Sequence, residues 1–325
     1  MTGSADHIKA LVRSHAAGDD ASFYAVATQV AAYEARQGHS RIAEDLKKII
    51  DASRHKPIVR AVTPIAHPRG ELADLVTASP PGVGLRDLIV PDVLLGQIHQ
   101  VLAEQRQRQR LVKRGFAPVH RLLLEGPPGT GKTMTASVLA HELSLPLLTV
   151  RLESLLSKFL GETAGKLRVV FDAVAQQRAV YLFDEFDALG GDRSGNDVGE
   201  ARRILNSLLV FLEQASAESI VVAATNHRAI LDRALFRRFD MVINYDLPSS
   251  VEAVKVMKAR LGPLANRICW RDVEKETTGL SHADLVKASE AAAKQALMSD
   301  HEHVSAEDVL AALRARKAGW VAWAG

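Results

Sequence analysis

One stretch of the chain reads Gly126-Pro127-Pro128-Gly129-Thr130-Gly131-Lys132-Thr133 and matches the phosphate-loop pattern at every position. It follows the apolar residues 121–124 and precedes a helical stretch at 134–143, which is the context that the motif requires. Its glycines allow successive backbone N–H groups to surround phosphate oxygens at the positive end of a helix. Lys132 adds a cation for the β- and γ-phosphates, and the Thr133 hydroxyl is suited to ligating Mg²⁺. The stretch therefore predicts a strand–loop–helix unit that binds a phosphate-bearing ligand.

An acidic pair ends a later apolar run. Residues 180–183 are apolar and are followed directly by Asp184 and Glu185. Two carboxylates at the end of a buried strand are costly unless they act at the carboxyl edge of a sheet. We expect Asp184 to hold Mg²⁺, directly or through water, and Glu185 to polarise an attacking water molecule. The alternative is an acidic pair that caps a helix, and Asp187 is assigned local support only.

Two further polar features follow. The apolar run 220–224 leads to Asn226, which we expect between the phosphate-binding elements, where it would orient the water. Asparagine at a strand end is common, so this position alone is a weak signal. Arg237 and Arg238 then precede Phe239 and Asp240. Adjacent arginines form surface pairs in many proteins, but here they follow a complete set of nucleotide-binding motifs.

Apolar runs and helical stretches alternate through the middle of the chain. The runs at 121–124, 147–150, 180–183, 220–224 and 241–245 predict an α/β fold with a parallel sheet and helices on both faces. From residue 248 onward the pattern is helical only, with capping boxes at Ser249, Ser281 and Ser305. The N-terminal residues predict three short helices, and the following stretch is rich in proline. The expected domains are an N-terminal helical recruitment module at 1–53, a linker at 54–84, an α/β subdomain at 85–247 and a helical lid at 248–325.

Composition and charge narrow the class of protein. The 325 residues are 47% hydrophobic and 24% charged, which excludes disordered, collagen-like and disulfide-rich proteins. A net charge of +3 is too small for a general nucleic-acid binder, and the basic run at 106–114 lacks interleaved aromatic residues, so we interpret it as a solvated helix face. The single cysteine, the lack of a signal peptide and the lack of an apolar run of ~20 residues predict a cytoplasmic protein without membrane insertion.

Together these motifs resemble the AAA ATPase family, within the wider AAA+ group, over residues 88–315. The segments GPPGTGKT, FDEFDAL, ATN and LDRALFRRFD occur in the family's order and spacing. The chain looks most like the single-ring bacterial members akin to katanin, spastin and the ESCRT-disassembly ATPase. The resemblance implies an AAA+ P-loop sheet with a C-terminal helical lid, ATP and Mg²⁺ in the cleft between them, and a homo-oligomeric ring, usually a hexamer. In that ring Arg237 and Arg238 would reach the γ-phosphate of a neighbouring subunit.

The resemblance also implies a pore and an adenine contact. Lys158-Phe159-Leu160-Gly161 stands where the family has its first pore loop, and Phe159 would grip an unfolded polypeptide. The alternative is that Phe159 packs against its own domain. Residues 190–199, with Arg193, correspond to a second pore loop that leads into a helix with Arg202 and Arg203. His282 replaces a glycine that is usual in the family, and its ring either disturbs the packing of the adenine or stacks on it.

The resulting set of candidate site residues is as follows: Glu185, Asn226, Arg237 and Arg238 for catalysis; Gly126, Pro127, Pro128, Gly129, Thr130, Gly131, Lys132, Thr133, Met134, Asp184, His282 and Ala283 for the nucleotide; Thr133 and Asp184 for the metal.

The first hypothesis for function is a Mg²⁺-dependent ATPase that remodels or unfolds a protein partner by threading it through the ring. The alternative is an ATP-driven regulatory switch, antitoxin-like or part of a defence system, that controls another protein such as a subtilisin-like protease without processive threading. The chain itself carries no Gly-x-Ser-x-Gly or His-Glu-x-x-His protease motif. A nucleic-acid motor is disfavoured by the near-neutral charge and by the aromatic pore loop.

Overall fold

The structure is a computed structural model that describes residues 20–55, 68–155, 160–189, 207–226 and 236–324. The chain separates into two compact units, Met1–Val62 and Thr63–Gly325. Within the described residues, no helix is both long enough and apolar enough to span a bilayer.

The first unit contains two described helices that pack against each other, α1 (Asp20–Arg36) and α2 (Ser40–His55). Gly38 lies between them with φ +84°, which explains why the sequence shows a glycine at this turn. The bounds agree with the second and third helices that the sequence predicts. The first predicted helix lies outside the described residues.

The second unit is built on a sheet whose described strands are β1 (Val76–Ser79), β2 (Arg121–Glu125), β3 (Leu147–Val150), β4 (Val180–Phe183), β5 (Ile220–Thr225) and β6 (Met241–Asn244). Their spatial order is β1-β3-β4-β5-β2-β6, and every pair is parallel except β1 with β3. All residues of β4 and β5 are buried, as expected for central strands covered on both faces. The five predicted strands are confirmed to within one residue at each end, and so is the α/β fold class.

The N-terminal part of this unit contains a helix and a strand where the sequence indicates a linker. Within the stretch 54–84, which the sequence indicates to be a linker, α3 (Glu71–Leu75) leads directly into β1. Val76 is only 2% exposed and lies opposite Val150 of β3. A strand of four residues beside several prolines has no hydrophobic period that sequence analysis can detect.

Two apolar layers cover the sheet, one on each face. Consecutive residues of β4 alternate between them: Tyr181 and Phe183 pack in one layer, and Val180 and Leu182 in the other. The sequence from Pro91 to Arg114 has a continuous helical pattern, but the structure divides it into two helices that meet at Gln107. The helices of this part are α4 (Asp92–Arg106), α5 (Arg108–Val112), α6 (Lys132–Leu143), α7 (Leu152–Leu155), α8 (Leu160–Gln176) and a helical segment at 207–214.

A third apolar cluster forms the core of the C-terminal helices, with Met257, Leu285 and Leu313 fully buried. The predicted capping boxes of Ser249 and Ser281 are both present, and Ser305 exchanges the same pair of hydrogen bonds with Asp308. The helices are α9 (Ser250–Leu261), α10 (Trp270–Glu276), α11 (His282–Met298) and α12 (Ala306–Ala324).

Candidate nucleotide site

The loop between β2 and α6 has backbone geometry that glycine alone adopts easily. Gly126 and Gly129 have φ values of +146° and +73°. A Cβ on Gly126 would lie 2.2 Å from the carbonyl oxygen of Tyr245, and one on Gly129 would lie 2.7 Å from Ser281 Oγ. Both positions therefore require glycine for backbone conformation and for close approach. Thr130 is buried, and its hydroxyl donates to the Pro127 carbonyl oxygen at 2.8 Å, within the same loop.

Lys132, the first residue of α6, lies against this loop. Its side chain is largely buried, and Nζ donates to the carbonyl oxygens of Gly126 at 2.8 Å and Pro127 at 2.7 Å. Burial lowers the pKa of the Lys132 ammonium, while the charges of Asp184 and Asp187 act in the opposite direction. The ammonium is therefore held beside the backbone that would receive phosphate oxygens.

Thr133 and Asp184 form the pair expected at a magnesium site. The Thr133 hydroxyl donates to Asp184 Oδ2 at 2.7 Å, which joins α6 to the end of β4. Hydroxyl and carboxylate oxygens are hard ligands, and Mg²⁺ commonly takes few of them from the protein because it keeps waters and binds nucleotide phosphates. The described residues contain no group of three or more His, Cys, Asp and Glu side chains placed to hold a metal. The hydroxyl of Thr133 and the carboxylate of Asp184 are a donor set that fits Mg²⁺ bound together with a nucleotide.

Glu185 follows in an unusual backbone conformation. Its φ is +51°, in the left-handed region, and its N–H donates to Asp184 Oδ1 at 3.0 Å. Left-handed backbone is uncommon for residues other than glycine, and such strained positions cluster at functional sites. Glu185 is exposed at the carboxyl edge of the sheet, next to Asp184. Its carboxylate is available to water.

Asp187 makes a contact that sequence analysis did not predict. Its Oδ1 accepts hydrogen bonds from the Thr225 hydroxyl at 3.0 Å and from the Asn226 backbone N–H at 3.1 Å. Asn226 lines a cavity of about 600 Å³ together with Gly126, Pro127 and Pro128 of the loop. The end of β5, the turn after β4 and the phosphate loop therefore meet at one place.

The first turn of α11 contacts the loop from the C-terminal side. The Ala283 N–H donates to the Gly129 carbonyl oxygen at 3.0 Å. The His282 Nε2 lies 3.0 Å from the Ile89 carbonyl oxygen, which can only accept, so Nε2 carries the proton. Burial lowers the pKa of His282, which favours the neutral ring. Met134, by contrast, packs against the apolar layer that contains Leu139.

The two arginines differ in their surroundings. Arg237 is exposed, whereas Arg238 Nε lies 3.3 Å from Glu213 Oε1. Asp240 anchors this segment, because its carboxylate accepts from the backbone N–H groups of His120 and Arg121 and from the Arg121 guanidinium, whose Nη2 lies 2.5 Å from Oδ1. Burial alone would raise the pKa of Asp240, but the His120 side chain, whose Nδ1 lies 3.0 Å from Oδ2, together with the Arg121 side chain and the His120 backbone N–H, lowers it well below its ordinary value.

The candidate pore residues can be compared with the structure only in part. Lys158 and Phe159 lie outside the described residues, as do Arg193, Arg202 and Arg203 of the second predicted loop. The backbone of Leu160 and Gly161 forms the start of α8. The pore assignment therefore stays a prediction from the sequence.

Comparison with known proteins now identifies the family. The model of the family described as "ATPase family associated with various cellular activities (AAA)" matches residues 122–247. The AAA family ATPase y4kL of Sinorhizobium fredii is 31% identical over 312 residues, which are 94% of this chain and 93% of that protein. The chain belongs to the AAA family of ATPases.

Two other likenesses are partial. The ATP-dependent zinc metalloprotease FtsH of Helicobacter felis is 32% identical over 264 residues, which are 77% of this chain and 41% of that protein. The chain thus spans about two fifths of the length of that relative. The crystal structure of the FIGL-1 AAA domain superposes with a TM-score of 0.61 at 23% identity and covers 78% of this chain and 92% of the other. This likeness shows the AAA fold.

Proposed function

We propose that this chain hydrolyses ATP with Mg²⁺, using the residues that meet at the end of β2, β4 and β5. The observation that carries the proposal is the 2.7 Å hydrogen bond between Thr133 and Asp184, beside the buried ammonium of Lys132. A phosphate loop, a metal-ligand pair and an exposed carboxylate at Glu185 are the parts that phosphoryl transfer to water requires.

The residues have distinct roles in this proposal. The loop N–H groups and Lys132 bind the phosphates, and Thr133 and Asp184 hold Mg²⁺, which supplies positive charge to the phosphate oxygens when bound. Glu185 accepts a proton from the attacking water. The water oxygen bonds to the γ-phosphorus, and the bond between that phosphorus and the bridging oxygen breaks, so that this oxygen leaves with ADP. Asn226 orients that water. His282 and Ala283 approach the adenine.

We further infer that the chain assembles into a homo-oligomeric ring, with a hexamer as the expected size, in which Arg237 and Arg238 act on a neighbour's nucleotide. The exposure of Arg237 and the anchoring of the segment by Asp240 support this role. The ring would remodel a protein partner by threading it past Phe159. Membership of the AAA family and the likeness to an ATP-dependent protease support action on proteins.

A direct assay tests the hydrolysis. Purified chain should release phosphate from ATP when Mg²⁺ is present and stop when the metal is chelated. Lys132→Ala should lose nucleotide binding, because the phosphates lose their buried counter-charge. Asp172→Ala, at an exposed position on α8, is the matched control and should retain both properties. Phosphate release by Lys132→Ala at the rate of the unmodified chain would refute the proposed site.

A further inference from the structure

Asp187 connects the two strand ends that carry the proposed water-handling residues. β4 and β5 are parallel neighbours, with Phe183 opposite Ala223. Glu185 follows β4, and Asn226 follows β5. Asp187 Oδ1 accepts from the Thr225 hydroxyl at 3.0 Å and from the Asn226 backbone N–H at 3.1 Å, so it joins the turn that holds Glu185 to the residue that would orient the water.

We propose that Asp187 is a positioning residue for ATP hydrolysis, which fixes the separation between the Glu185 carboxylate and Asn226. The inference rests on the proposed function, in which these two side chains act on one water molecule. Glu185 needs such a support because it lies in a left-handed turn, outside the hydrogen-bond ladder of the sheet. The tie to β5 fixes this turn from the other side, and Phe186, which is 1% exposed, fixes it from within the core.

An asparagine at position 187 removes the charge of Asp187 but can keep its two hydrogen bonds. Both hydrogen bonds end on the same oxygen, and an amide oxygen also has two lone pairs. An asparagine at this position would turn its oxygen toward the Asn226 N–H, which needs an acceptor, and so retain both bonds. Loss of the bonds should therefore lower kcat, whereas loss of the charge with the bonds kept should leave most of kcat.

The test compares kcat with nucleotide affinity in a small set of variants of the full chain. Asp187→Ala should lower kcat by at least about tenfold, because small misplacements of catalytic groups are costly. Its affinity for Mg²⁺ and a fluorescent ATP analogue should stay within about threefold, as for a loss confined to the transition state. Asp187→Asn should recover most of kcat. Thr225→Val removes one of the two donors and should give an intermediate kcat, whereas Thr225→Ser keeps the hydroxyl and should match the unmodified chain.

Two results would overturn the assignment: an unchanged kcat in Asp187→Ala, or a kcat in Asp187→Asn as low as in Asp187→Ala. If Asp187→Ala fails to fold, an unchanged kcat in Thr225→Val overturns it equally, because that variant keeps the carboxylate. In the double variant Asp187→Ala, Thr225→Val, kcat should be no lower than in Asp187→Ala alone, since the same link is already lost. An unmodified chain without ATPase activity would instead refute the proposed function, and the positioning role with it.

Discussion

The backbone N–H of Ala283 donates to the carbonyl oxygen of Gly129 at 3.0 Å, so the first turn of the lid helix α11 is hydrogen-bonded directly to the phosphate loop. The same turn is joined to the segment before α4 through His282 and Ile89. A rotation of the C-terminal helices relative to the sheet must therefore break these bonds or move the loop. The orientation of the lid and the shape of the phosphate site depend on each other.

The first prediction concerns Glu185. Glu185→Gln should keep ATP binding and lose most hydrolysis, because an amide does not accept the proton of the attacking water. Binding is measured by titration with a fluorescent ATP analogue and hydrolysis by phosphate release. Glu302→Gln, at an exposed position in the loop after α11, is the control and should hydrolyse ATP normally. Undiminished hydrolysis by Glu185→Gln would show that this carboxylate is not the base.

The second prediction concerns the two arginines. An arginine supplied by a neighbour typically contributes about 10³–10⁵ in rate. Arg237→Ala and Arg238→Ala should each suppress turnover and leave nucleotide binding intact. Arg238 pairs with Glu213 in its own chain, so Glu213→Gln tests whether this ion pair or a contact with a neighbouring subunit explains the effect of Arg238→Ala. If Arg238 acts on a neighbour, Glu213→Gln should keep high turnover. If the ion pair is what matters, Glu213→Gln should lower turnover as much as Arg238→Ala does.

Mixed assemblies show where these arginines act. Combining Arg238→Ala subunits with Lys132→Ala subunits should restore part of the ATPase activity, since some interfaces then pair an intact loop with an intact arginine. The subunit composition of the mixed assemblies is measured by native mass spectrometry. No recovery in assemblies proven to be mixed would mean that the arginine acts within its own chain.

The third prediction separates threading from regulatory switching. Phe159→Ala should leave basal ATP hydrolysis within about an order of magnitude of the unmodified chain, since Phe159 lies outside the phosphate loop. Loss of a buried aromatic anchor can cost more than about 2 kcal/mol, enough to release a gripped chain. Partners captured with Glu185→Gln and identified by mass spectrometry supply the substrate for an unfolding assay. Unfolding at the normal rate by Phe159→Ala would favour the switch.

The fourth prediction concerns stability. Asp240→Asn should lower the free energy of unfolding by about 1–2 kcal/mol at pH 7, because the Arg121 guanidinium loses its carboxylate partner. The pKa of Asp240 is lowered in the folded chain, so its stabilising contribution is complete above the ordinary value of 3.8 and is lost as the pH falls below it.

Urea unfolding at pH 7 and at about pH 2.5, which is below the ordinary pKa of 3.8, measures this difference. The gap between the unmodified chain and Asp240→Asn should narrow at the lower pH. Asp172→Asn, which changes an exposed aspartate, should show a small effect at both. A gap that stays constant or widens toward low pH would contradict the role of the ionised carboxylate.

Sequence patterns predicted the features that depend on neighbouring residues along the chain. Buried parallel strands are uninterrupted apolar runs, and capping boxes such as Ser281 with Asp284 span three positions, so both are visible in the sequence. The bond from Asp187 to Asn226 joins residues that only the sheet order brings together, and local patterns carry no signal for it. The division of α4 from α5 at Gln107 was missed for a different reason, since no glycine or proline marks it.

Strand β2 connects two functional parts of the chain, the segment that carries the two arginines and the phosphate loop. Its first residue, Arg121, holds Asp240 and through it the segment of Arg237 and Arg238, and its last residue leads straight into Gly126. A strand of five residues is about 17 Å long and hardly extends. If the arginines contact the nucleotide of an adjacent subunit, a pull on them is transmitted along β2 to the subunit's own phosphate loop. The order in which the subunits of a ring hydrolyse ATP would then be set by mechanical coupling through β2 rather than by diffusion of ATP.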